Sequence, residues 1–325
     1  MIYRQSPCFL VLIFAALISI AVLESTSSSK ESKELAAGIS LGLDYITSAY
    51  ITESDDFVTV ARVESTQDWK NFYYSLLRMG TGYTRGPREY EDSQVDELLT
   101  KTFLSIKEAT ETKLNQQAEI VSIAYPLCIS DQGYIVNLID AAREVLPGIE
   151  DITQFQKYLH SIRQAYKLNT AEALGYPAGT KINHQSSMLL YIDYQDSLLD
   201  VTATDIGQDI TSPAQLENFK LRLRKLIDEE LAPPANARYS AQLEDFRYVI
   251  FSGTAPQSEF KKLHELVIEA VPEFSDRFIK DSIDPEWVGA VGAARGARQY
   301  QVEGPYDWSN LECGVYDDEV KHDEL

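Results

Sequence analysis

The clearest hydrophobic pattern along the chain is helical and lies at residues 93–114. Val95, Leu98, Leu99, Thr102, Ile106 and Ala109 recur at spacings of three and four, with Asp92, Glu97, Lys101 and Lys107 on the other side. The apolar run 118–126 that follows predicts a buried strand stopped by Pro126. Val121 and Ile123 are expected on one face of it, since residues two apart share a face. Further helices are predicted over 133–145, 152–165, 215–231 and 258–271, the last with Phe260, Leu263, Val267 and Ala270 on its apolar side. Upstream, the run 37–45 turns at Gly42 and the alternating run 57–63 returns. A hairpin of that kind, carrying Gly38 and Gly42, is able to cup an anion.

The pattern restarts near residue 186. Residues 188–193 and 197–206 read as strands, then comes a helix, then the apolar run Tyr248-Val249-Ile250-Phe251. That run breaks at Ser252-Gly253-Thr254-Ala255-Pro256 before a helix. A short strand ending in a glycine turn is where α/β sheets bind ligands. Downstream, Gly289-Ala290-Val291-Gly292-Ala293-Ala294 is rich in small residues, which let backbone approach either backbone or a ligand. Both readings of that segment stay open on the sequence. Two halves, each strand-hairpin first and helix-strand later, predict an internally duplicated α/β architecture. The expected lobes are 37–185 and 186–300.

Composition narrows the partners. The 325 residues carry a formal net charge of −21, which excludes nucleic acid and anionic membrane surfaces as expected partners. About a third of that charge sits in the tail 301–325, where eight acidic residues face only Lys321. The four histidines, His160, His184, His264 and His322, show no metal-ligand spacing. No Ser/His/Asp or Cys/His hydrolase arrangement is evident.

Both ends carry an address. A single Arg4 precedes an apolar run from Cys8 to Leu23, interrupted only by Ser19, and a serine-rich stretch follows. This is the layout of a secretory signal, expected over 1–24, with a polar linker over 25–36. The chain finishes on His322-Asp323-Glu324-Leu325, a receptor-read retention signal of the endoplasmic reticulum. The expected location is the lumen, with the retention receptor as one partner and no membrane contact once the signal is removed. Cys128 and Cys313 then remain. Cys128, in an apolar run, is expected to be buried, and whether it pairs with Cys313 stays open.

Taken in order, several segments resemble the nucleotide-binding domain of the 70-kilodalton heat-shock chaperones, members of the actin-like ATPase (ribonuclease H-like) fold. Gly38-Ile39-Ser40-Leu41-Gly42 resembles the first phosphate loop, and Leu98 through Pro126 the helix-then-strand segment. Asp140-Ala141-Ala142-Arg143 and the run from Thr170 to Tyr176 resemble the two stretches that follow. Ser252-Gly253-Thr254-Ala255 resembles the adenosine loop, and Gly289 to Ala294 the closing helix. The resemblance implies a two-lobed fold with a reduced second lobe. It also implies a nucleotide cleft formed by Gly38, Gly42, Asp193, Gly253, Thr254 and Gly289, with ATP or ADP as the candidate ligand.

The departures from that family bear on chemistry. Ser40 stands where the family has an aspartate, Leu43 and Asp44 where threonines face the phosphates, and Leu168 where a glutamate serves the attacking water. The second phosphate loop corresponds to Asp193-Tyr194-Gln195-Asp196-Ser197-Leu198, which keeps the aspartate and loses the glycines. No residue matches the family's lysine near the phosphates. Phosphoryl transfer needs a metal held by acids and phosphates cradled by open backbone N–H groups. The expectation is therefore no efficient ATP hydrolysis, no catalytic residue, no bound metal and at most weak nucleotide binding. After the closing helix only 299–325 follow, so no peptide-clamping domain is expected. The expected role is an interaction or regulatory one toward lumenal proteins or cochaperones, and the alternative is an ATP-hydrolysing chaperone-like protein with a rearranged site.

Overall fold

Two mixed sheets of the same winding carry the fold. The computed structural model describes residues 35–78, 89–131, 133–168, 172–177, 188–195, 198–203, 206–211, 219–231, 243–279 and 283–304. The first sheet has the order β3-β2-β1-β4-β5, from β1 (Ala36–Leu41), β2 (Tyr45–Ile51), β3 (Phe57–Glu64), β4 (Glu119–Tyr125) and β5 (Phe155–Lys157). Its first three strands form an antiparallel meander, and β4 and β5 extend β1 in parallel. The second sheet has the order β8-β7-β6-β9, from β6 (Met188–Tyr194), β7 (Leu199–Ala203), β8 (Ile206–Thr211) and β9 (Phe246–Ser252). Here too a meander is followed by a strand parallel to its first member. The α/β class is thus observed.

The helices form where the apolar spacing and the caps allow. α1 (Gln67–Arg78) buries Trp69, Phe72, Tyr73 and Leu76 on one side. α2 (Asp92–Leu114) opens on a capping box: the Glu91 side chain accepts from the Gln94 backbone N–H, and the Gln94 side chain accepts from that of Glu91. It stops at Asn115, left-handed with φ 51°. The short α3 (Leu127–Asp131) and α4 (Ile135–Val145) follow β4. Together α1, α2 and α4 cover one face of the first sheet, where Val95, Leu99, Phe103 and Leu138 pack with Ile39 and Leu41. On the second sheet, α6 (Phe219–Leu231) and α7 (Gln257–Ala270) place Leu223, Ile227, Leu263 and Val267 against Leu190, Ile192 and Val249.

The other face of the first sheet is covered by α5 (Tyr158–Ala165) and α8 (Val288–Glu303). β1 is buried on both sides: Ile39 and Leu41 face α2, whereas Gly38 and Ser40 meet α8. The small residues of α8 therefore serve close packing. A Cβ at Gly292 would lie 1.9 Å from the Ser161 carbonyl oxygen, and one at Gly38 would lie 2.1 Å from the Ala294 nitrogen. This helix falls in the segment expected to be second lobe, yet it lies on the first sheet. A third apolar cluster joins the two halves, with Ile51, Ile162, Leu189, Ile250 and Val291 among its members. Among the described residues no helix is long and apolar enough to cross a membrane.

Several elements differ from the sequence expectation. β2 is an extra strand because Ile46, Thr47, Ser48 and Ala49 are all buried, which removes the polar alternation that marks a strand. α1 has no counterpart in the reading of the sequence. The expected helix 152–165 is a 3-10 turn (Ile152–Gln154), then β5, then α5. The expected strand 197–206 is the shorter β7, and β8, which begins at its last residue, has no counterpart in the reading of the sequence. Val121 and Ile123 are both buried but fall in separate clusters, Val121 with Ala36 and Ala297. The β1–β4 register skips Val121, pairing Ala37 with Ile120 and Gly38 with Ser122, and such a bulge re-aims the side chain. Cys128 is buried as expected, at 4% exposure. The signal segment, Asp196, Ser197, Cys313 and the terminal residues His322, Asp323, Glu324 and Leu325 lie outside the described residues.

Candidate functional site

The two sheets meet in a cleft of about 410 Å3, counting its space open to solvent. It forms at the carboxyl ends of β1, β6 and β9, where open α/β sheets place ligands. Five of the six residues expected there line it: Gly42, Asp193, Gly253, Thr254 and Gly289. Gly38 does not, because its missing side chain admits α8 instead.

Asp193 is the centre of the cleft. It is 5% exposed at the end of β6, next to its sheet partner Ser252 on β9. The Gln195 amide nitrogen donates to its Oδ2 over 2.8 Å, and the Ser252 hydroxyl donates to Oδ1. The Tyr191 hydroxyl lies 2.5 Å from the Ser252 oxygen. Burial pushes the Asp193 carboxyl above its ordinary range, while the hydrogen bonds from Gln195, Ser252 and Tyr191 pull it back down. From Gln195 the network continues to the other sheet. Thr254 Oγ1 donates to Gln195 Oε1 at 2.9 Å and approaches Asp44 Oδ2 at 3.3 Å. Asp44 in turn pairs with Lys70 of α1, Nζ to Oδ1 at 3.0 Å.

The glycines of the cleft are occupied by protein. Gly253 has φ +110°, and a Cβ there would sit 2.2 Å from the Tyr194 carbonyl oxygen. One at Gly289 would sit 2.3 Å from Ser40 Oγ, and one at Gly42 would sit 2.5 Å from the Tyr45 carbonyl oxygen. The Gly42 carbonyl accepts from the Trp69 indole nitrogen at 2.8 Å, which fixes the β1–β2 turn. The Leu41 carbonyl accepts from the Tyr158 hydroxyl. Leu168 is buried in the cluster between the halves, at 4% exposure. At the outer edge Arg62 stacks on Tyr45, 3.3 Å from the ring centre, and pairs with Glu286 at 2.8 Å.

The sequence reading missed Tyr158 and Tyr191 as cleft residues, and Lys70 as the partner of Asp44 at the far end of the network. Lys70 was hidden because α1 was not foreseen, although Trp69, Phe72, Tyr73 and Leu76 carry its periodicity. Tyr158 gave no signal, since it lies inside what reads as a helix. No protein-family model matches the chain, and no curated protein matches it either.

Proposed function

We propose that this chain is a degenerate relative of the nucleotide-binding domain of the 70-kilodalton heat-shock chaperones. In this reading it has the duplicated actin-like ATPase fold and acts in the lumen of the endoplasmic reticulum as an interaction or regulatory protein without ATP turnover. The repeated strand order, the cleft at the carboxyl ends of the strands and the convergence of five candidate residues on it all support the fold. One observation carries the loss of chemistry: both carboxylate oxygens of Asp193 already accept hydrogen bonds from the chain itself, from Gln195 and Ser252.

The residues present do not fit a magnesium–triphosphate group. The Gln195 side chain occupies space that open backbone N–H groups would need, and Leu168, buried in the cluster between the halves, offers no group to activate water. Gly253 and Gly289 leave less room for a nucleoside than their type suggests, because each admits a neighbouring part of the protein. The test is equilibrium titration with ATP and ADP in magnesium, with phosphate release measured in parallel. The expected result is weak or no binding and no release above background. Phosphate release that disappears in Asp193→Ala would instead establish the alternative, a working ATPase with a rearranged site.

A further inference from the structure

We draw no further inference here: the strongest candidate, the edge strand β3 of the first sheet, has its ladder broken by a register shift opposite Ser48 and Ala49 and its Arg62 already stacked on Tyr45 and paired with Glu286, and nothing among the described residues shows what covers it.

Discussion

The Gln195 side chain is the internal partner of Asp193: its amide nitrogen donates to Oδ2 over 2.8 Å while its carbonyl accepts from Thr254 at 2.9 Å. One side chain thus satisfies a buried carboxylate and links it to the loop after β9. Gln195→Ala should leave both groups short of a partner and destabilise the protein by about 1–3 kcal/mol, the cost of orphaning buried polar atoms. Urea denaturation measures it. On the proposed reading as a degenerate ATPase relative, the variant should gain no ATP turnover.

Asp193 also gives stability a distinctive pH dependence. Burial is the largest influence on its carboxyl and raises it above the ordinary 3.8, against the donors that lower it. A group with a raised folded value binds more protons when folded, so its burial penalty is present above that value and relieved as pH falls through it. The wild type should therefore gain stability relative to Asp193→Asn as pH drops from neutral toward 3.8. Asp55 has the opposite sign. Its hydrogen bond to Lys167, opposed by slight burial and aided by Arg295, holds its carboxyl below 3.8. Its contribution is present above that unfolded value and lost as pH falls through the lower folded one. The wild type should lose its advantage over Asp55→Asn on acidification, and since the pair is largely exposed that advantage is small. Thermal melts across the acid range compare the two; identical slopes would contradict the assignment.

Gly253 and Gly304 separate backbone strain from crowding. Both have positive φ, +110° and +79°, but a Cβ at Gly304 meets nothing within 4 Å, whereas one at Gly253 meets the Tyr194 backbone at 2.2 Å. Gly304→Ala should cost about 1 kcal/mol from backbone strain alone. Gly253→Ala adds a backbone clash and should cost about 2–4 kcal/mol, in line with other combined strain and packing defects. Equal losses in chemical denaturation would mean that the β9 turn yields more readily than its geometry implies.

How far the sequence discloses all this depends on which physical signal each element carries. α2 was legible because its stripe is long and its partner face is polar. β2 was not, since a strand buried on both faces reads as neither helix nor alternating strand. Gly42, Asp193, Gly253, Thr254 and Gly289 could be assembled from motif order, because a glycine turn at a strand end is a local feature. Tyr158 could not, because its position depends on how α5 packs beside the cleft, and Lys70 joins the network only through Asp44. The glycines also misled in part: type and position suggested an open cradle, and only the packing shows Tyr194 and Ser40 filling it.

The last prediction concerns the small-residue face of α8, where one sequence pattern hides two kinds of contact. At Gly289 the neighbour is the Ser40 side chain, with Oγ 2.3 Å and Cβ 3.1 Å from a built Cβ. At Gly292 the neighbours are backbone atoms of Ser161, the carbonyl oxygen at 1.9 Å and the carbon at 2.4 Å. A side chain can be removed by mutation, but a backbone cannot. Gly289→Ala and Gly292→Ala should each destabilise by about 1–3 kcal/mol, as overpacking does. Combining Gly289→Ala with Ser40→Gly should cost less than the sum of the two single changes, by about 1 kcal/mol, because the clash disappears with the serine side chain. Combining Gly292→Ala with Ser161→Gly should give plain additivity, within the ~0.5 kcal/mol expected of uncoupled sites, because the obstructing carbonyl remains. Double-mutant cycles by urea denaturation decide between these outcomes. Equal coupling in both cycles would mean that α8 shifts as a rigid body and that neither glycine marks a fixed point of contact.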